Sequence, residues 1–314
     1  EKFAMKKTLI ALATLAVAGT AFAQSSVTIS GKLRYAYESV SSAAGAKTNG
    51  LRVTDGDLNF VAVEDLGGGM KASAAMAYVS RGRDTAISAR DASITLAGGF
   101  GSVMIGSIEA GNGIIGLGGA GAPVYGLDNG TTLAGAGNVD IIKYTLPAMN
   151  GFTVSVNTTD ATTVLGQEAT AATGDSTGVG VGYANGPLAV AADLTNYGAN
   201  ASGSTADSRT RISASYNLGM AKIGAGFQTS STTANVDTKQ QIFGVAVPMG
   251  ALTLGLNIAS SKTDGVARAN KGTDLGAKYD LSKRTYIAAA YQTTKTAGAT
   301  ASASKYRVQL AHSF

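Results

Sequence analysis

A membrane-spanning antiparallel β-barrel of about sixteen strands is the fold class this sequence predicts, and three observations predict it. Short segments along the chain alternate apolar and polar residues with a period of two, the signature of strands that show different faces to different surroundings. The connections between these segments are alternately tight and long. A secretory leader opens the chain, yet nothing beyond it is long and apolar enough to cross a membrane as a helix, which leaves a closed barrel as the way to satisfy the backbone in lipid.

The alternation is clearest in the last ten residues. Tyr306, Val308, Leu310, His312 and Phe314 share one face, and Lys305, Arg307, Gln309, Ala311 and Ser313 the other. An edge strand of a soluble sandwich alternates in the same way, but such a protein would partition away from detergent, and the leader and the terminal aromatic favour lipid outside and water inside. The leader reads as Met5-Lys6-Lys7, an apolar run Leu9 to Val17, and the cleavage signal Ala21-Phe22-Ala23. Residues 5–23 are therefore expected to be a signal peptide, with Glu1 to Ala4 an upstream remnant and 24–314 one barrel domain.

Upstream, Val27, Ile29, Leu33, Tyr35 and Tyr37 oppose Thr28, Lys32, Arg34 and Glu38. Glu64 to Gly69 makes a tight turn before Ala72, Ala74, Met76 and Tyr78, and Gly98 to Gly101 turns from Ala92, Ile94 and Leu96 into Val103 and Ile105. Ile142 and Tyr144, Phe152 to Val156, Val179 to Tyr183, Leu188 to Leu194, Ile212 to Leu218 and Ile223 to Phe227 continue the pattern. So do Phe243 to Val247, Leu252 to Ile258, Leu275 to Tyr279 and Ile287 to Tyr291. Long loops are expected at Ser41 to Asn49, Arg81 to Ala89, Glu109 to Asn138, Asp160 to Gly178, Gly198 to Ser208, Ser230 to Asp237, Ser261 to Lys271 and Thr294 to Ser302.

Composition removes several function classes. With 0 Cys and 1 His there is no cluster to hold a structural metal and no disulfide framework. The single His312 falls on the outward face of the closing strand, so nucleophilic catalysis has no general base and no enzyme or cofactor is expected. Without the leader and remnant the charge is about +3 (25 basic residues less three, 20 acidic less one), too dilute for nucleic acid. Gly111-x-Gly113 and Gly116-x-Gly118 resemble fragments of a nucleotide loop, but lack the strand and helix that would make one.

Several stretches resemble the trimeric general porins of β-proteobacteria and Neisseria. They are Ser25 to Gly31, Glu64 to Gly69, Gly98 to Val103 with Gly106, Pro147 to Phe152, Tyr279 to Thr285 and Leu310 to Phe314, spread over the chain in the family's order. The resemblance implies a sixteen-stranded homotrimer in the outer membrane and a third extracellular loop folded into the lumen as a constriction. It further implies an assembly signal at the last strand (Tyr306, Val308, Leu310, Phe314) for the barrel-assembly machinery, and contact with outer-membrane lipid and lipopolysaccharide. The chain departs from the family where pore arginines belong: Asp57 and Val61 stand at two such positions, Gly106-Ser107-Ile108 at another, and none precedes Ile141 near Gly137.

The expected function is a general diffusion porin for ions and small hydrophilic solutes. A non-conducting structural or adhesive barrel is the alternative, and single-channel conductance separates the two. Alternation nominates the pore-lining charges Lys32, Arg34, Glu38, Lys71, Asp91, Asp193, Arg209, Arg211, Lys222, Asp274, Lys278, Lys305 and Arg307. Lys32 and Arg34 form the expected basic patch, unless neighbouring carboxylates pair with them. The constriction loop is expected to use Glu109, Ile114, Ile115, Tyr125 and Asp128, its apolar residues packed inside against the wall. Basic residues predominate and the loop has few acids, so weak anion preference follows.

Overall fold

The computed structural model of the chain describes residues 25–82, 86–110, 112–128, 130–134, 137–160, 175–198 and 205–314. The leader, Arg83, Gly111 and most of the loops expected at 160–178 and 198–208 lie outside the described residues.

Sixteen strands alternate along the chain with short and long connections. They are β1 (Ser26–Ser41), β2 (Lys47–Gly67), β3 (Met70–Val79), β4 (Ser88–Gly98), β5 (Gly101–Ala110), β6 (Gly137–Thr145), β7 (Phe152–Asp160) and β8 (Ser176–Asn185). β9 (Leu188–Tyr197), β10 (Ala206–Asn217), β11 (Lys222–Thr232), β12 (Asp237–Met249), β13 (Leu252–Thr263), β14 (Asn270–Asp280), β15 (Thr285–Lys295) and β16 (Ala303–Ser313) follow. Each pairs antiparallel with its sequence neighbours, and β1 also pairs with β16, closing the ring so that no strand edge is left unpaired. At the seam the Gly31 N–H donates to Phe314 O at 3.0 Å and the Phe314 N–H returns the bond at 3.0 Å.

The two faces of the wall follow the alternation. Leu33, Tyr35, Val308 and Leu310 are each about half exposed on the outside, where only lipid or another apolar surface suits them. The inward positions hold Ala36 and Ala311, and polar residues such as Ser213, Gln228, Asn257 and Gln292, all buried. Against part of this inner face packs the connection between β5 and β6, which folds into the lumen and carries a short helix, Gly113–Gly118, lying on β9 to β12. The hydrophobic cluster of the molecule is therefore in the lumen: Ile114, Leu127 and Leu133 from this loop against Ile242 and Ala259 of the wall.

Several strands outrun their apolar segments. β1 and β2 are joined by residues 42–46 alone, and β11 and β12 by 233–236, shorter connections than Ser41 to Asn49 and Ser230 to Asp237. Beyond the hydrocarbon a ladder of Ser, Thr and Lys keeps its backbone bonds without needing an apolar face, so polarity does not mark where such a strand ends.

Candidate functional site: the lumen and its internal loop

The loop lies flat because glycines leave the wall bare where the loop's backbone comes closest. Gly224 and Gly226 of β11, Gly244 of β12, Gly255 of β13 and Gly272 and Gly276 of β14 all meet it. A Cβ at Gly224 would collide with Leu117 O, and one at Gly276 with Pro123 O. The backbone approaches closely only because glycine is there. Asn112 ties the two limbs together, donating from Nδ2 to Ala134 O at 3.0 Å, while its Oδ1 accepts from Ile114 N at 3.3 Å.

The middle of the loop is pinned by two groups. The buried Asp274 of β14 accepts from Gly126 N at 2.8 Å, and Gln292 of β15 donates both to Gly126 O at 2.7 Å and to Asp274 Oδ2 at 3.0 Å. Beside them the ring of Tyr125 lies between two cations of β16, with Arg307 Cζ 4.1 Å and Lys305 Nζ 4.3 Å from its centroid. Burial pushes the Tyr125 phenol above its ordinary pKa, so the ring stays neutral through physiological pH. Of the loop residues singled out in the sequence, Ile114 is fully buried, Ile115 packs partly against the cluster, and Asp128 is exposed. Glu109 stands where β5 hands over to the loop.

Lys32 and Arg34 do face the lumen, but they are compensated. Lys32 Nζ lies 2.7 Å from Asp55 and 3.1 Å from Asp57, and Arg34 lies 2.8 Å from Asp55. Asp57 is also 2.8 Å from Arg90, which in turn lies 2.8 Å from Glu109. Three cations and three carboxylates thus form one chain of ion pairs across β1, β2, β4 and the base of the loop. Glu38 pairs with Arg52 at 3.1 Å, and Asp91 accepts from Glu109 N at 2.8 Å. Lys32 and Arg34 are therefore no free basic patch; the side-by-side carboxylates of β2 supply the counter-charge.

Two members of that chain escape a simple alternation because β-bulges switch the parity. In β2, Arg34 pairs with Asp55 but Tyr35 with Val53, so Thr54 is extra and Asp55 turns inward. In β4, Met76 pairs with Ala92 and Tyr78 with Ala89, so Arg90 and Asp91 together face the single Ala77. Arg90 reads as outward in the sequence and is brought in by this bulge.

A different arrangement occupies the wall from β6 to β11. Arg209 and Arg211 of β10 share one carboxylate, Asp193 of β9, which is 4.0 Å from Arg209. Arg209 also donates to Thr195 at 3.1 Å, and Arg211 to Gln228 at 2.5 Å. They line a cavity of about 920 Å³ together with Lys143 of β6, which forms no ion pair with a described carboxylate. Lys278, by contrast, sits close to the β14–β15 turn, 3.0 Å from Asp280, and Lys71 is exposed beside the β2–β3 turn. These two flank a mouth of the barrel rather than the loop. His312 faces outward at the seam, its Nδ1 2.9 Å from Thr285 Oγ1.

The model of the Gram-negative porin family matches residues 8–299. The chain belongs to that family. This porin is 30% identical to outer membrane porin protein 32 of Delftia acidovorans over 90% of its own length and 88% of that protein. Among solved structures, an anion-selective porin from Comamonas acidovorans superposes with a TM-score of 0.74 at 23% identity, covering 93% of this chain and 100% of that one. The trimer form of OmpT of Vibrio cholerae gives 0.66 at 16% identity, covering 92% and 99%. The chain is thus an outer-membrane porin, in a family of channels rather than enzymes, and the adhesive, non-conducting alternative is not favoured.

Proposed function

We propose that this porin is a general diffusion channel with a weak preference for anions, and that the preference is carried by Arg209, Arg211 and Lys143. The observation behind this is the unequal pairing: Lys32 and Arg34 share Asp55 and Asp57 at 2.7–3.1 Å, whereas Arg209 and Arg211 have one acid at 4.0 Å and Lys143 has none described. Charges neutralised within their own network contribute little to the potential of an aqueous hole, and an uncompensated cluster in a narrow, low-dielectric tube contributes much. The anion selectivity named for the relative from Comamonas acidovorans supports the same sign. Reversal potentials in planar bilayers under a potassium chloride gradient test it. Wild type should show anion preference, and Arg209→Glu with Arg211→Glu should reverse or abolish it; a cation-selective wild type overturns the reading.

The same reading includes parts that rest on the resemblance and the sequence. The loop between β5 and β6 acts as the constriction, residues 5–23 direct export, and 24–314 form the mature barrel. The protein assembles as a homotrimer, as the trimer form of OmpT does. Tyr306, Val308, Leu310 and Phe314 address the barrel-assembly machinery, the outer wall contacts lipopolysaccharide, and no reaction is catalysed. Crosslinking of the native membrane to a threefold ladder checks the trimer, and N-terminal sequencing that begins near Gln24 checks the leader.

A further inference from the structure

Four lysines on the outside of the barrel occupy equivalent places on four consecutive strands. Lys239 of β12, Lys262 of β13, Lys271 of β14 and Lys295 of β15 share the outward parity of Phe243, Ile258, Leu275 and Tyr291, which are each about half exposed. On every one of the four strands a single outward polar residue separates the lysine from that apolar residue: Gln241, Ser260, Thr273 and Thr293. The lysines therefore mark the level at which the hydrocarbon band ends, on the side of the barrel that carries the internal loop's stem and the long connections.

Their register packs like charges together. Lys239 faces Lys262 directly and Lys271 faces Lys295 directly, while Lys271 stands opposite Ser260, two residues from Lys262. Directly opposed residues have Cβ atoms about 5 Å apart and diagonal ones about 7–8 Å, so the four lysine side chains share one small patch, with Lys295 Nζ donating to Thr300 O at 3.4 Å. No described carboxylate forms an ion pair with any of them; Asp237 and Asp264 flank the sector, and Asp237 accepts from Ser231 at 2.7 Å on its other side. Elsewhere at this end the outward positions are uncharged or acidic: Ser39, Asn196 and Ser208, and Asp140 paired in register with Asp160. Among the described residues of the strands, Lys47 on β2 is the exception. Like charges placed directly opposite are unfavourable unless an anion lies between them.

We propose that Lys239, Lys262, Lys271 and Lys295 form a docking site for a phosphate-bearing lipid of the outer leaflet, the class to which lipopolysaccharide belongs. This rests on the reading of the chain as an outer-membrane barrel and assigns the lipid contact to one sector. The ammonium groups hold the phosphates as charge-assisted donors, and the acyl chains lie along Phe243, Ile258, Leu275 and Tyr291. A free phosphate ion would match the charge alone; the apolar residues immediately below each lysine are what an amphiphile uses.

The test uses the full-length folded porin in detergent, titrated with purified bisphosphorylated lipid A and with the same lipid after enzymatic removal of its phosphates. Wild type should bind the phosphorylated form at least tenfold more tightly. The variant with Lys239→Gln, Lys262→Gln, Lys271→Gln and Lys295→Gln should lose that preference, and Lys47→Gln should keep it. Equal affinity of wild type for both lipids, or an unchanged preference in the fourfold variant, overturns the proposal. So does a Lys262→Cys variant that crosslinks barrel to barrel in membranes, since a second copy would then cover the patch. Heat-modifiable mobility in gels verifies that each variant is folded. Single-channel conductance of the same preparations in phosphatidylcholine bilayers keeps the two readings apart, because loss of lipid preference leaves conduction intact, whereas absence of conduction in wild type sinks the channel itself.

Discussion

The two halves of the lumen are built on opposite principles. From β11 to β14 the inner wall is reduced to glycine wherever the loop's backbone comes closest, which lets another segment of chain approach. From β1 to β4 the inner wall is crowded with charge, and nearly all of that charge is spent on its neighbours. The first half makes room for the loop by steric means. The second holds its own strands and the base of the loop together. Between them, at β6 and β10, lie the cations with too few acids. Charge density along a pore wall is thus a poor guide to the potential inside it; the arrangement of counter-charges decides.

The largest effect should come from filling the glycine half. Gly276→Leu places a side chain where Pro123 O now lies, and overpacking of this kind costs about 1–3 kcal/mol. The loop should leave the wall, its limbs should become cleavable by thermolysin, and conductance should change severalfold. A variant with wild-type conductance and protease resistance would show that the glycines do not set the bore. The double change Arg209→Glu with Arg211→Glu should leave the bore alone and move only the reversal potential.

Removing acids from the charged half sharpens the contrast further. Asp55→Asn with Asp57→Asn frees Lys32 and Arg34, leaves Arg90 with Glu109 alone, and should increase anion preference, although no cation has been added. Lys32→Gln with Arg34→Gln should instead shift the pore toward cations, by leaving Asp55 without a cation and Asp57 with Arg90 alone. If neither pair of variants moves the reversal potential, the wall from β1 to β4 lies outside the permeation path. The smallest effect belongs to Tyr125→Ala. It removes two cation–π contacts worth about 0.5–2 kcal/mol each, and should be seen as faster hydrogen exchange around Gly126 with conductance little changed.

Most of the barrel was legible because each strand states its own two faces within a few residues. Leu33 against Arg34, or Val308 against Arg307, needs no knowledge of the rest of the chain. What escaped depends on partners elsewhere. Asp55 and Arg90 turn inward through bulges that exist only in the pairing of β2 with β1 and of β4 with β3. Ile242 breaks the polar parity of β12, and reads as noise until Ile114 is seen lying on it. It was the available signal for the docked loop, together with the glycines at alternate positions of β11. The strand ends near Ser41 and Lys47 escaped for another reason: beyond the lipid, hydropathy stops reporting on pairing.

The Gly31–Phe314 bond pair has a temporal meaning. It joins residues from the first and last strands, so the loop of chain it closes is almost the whole molecule, and no local folding event can make it early. Until those two strands meet, every intermediate is a curved sheet with two raw margins, leaky and adhesive at once. The circle becomes watertight in its final step, and whatever guides that last encounter decides whether the cell gains a pore or an aggregate.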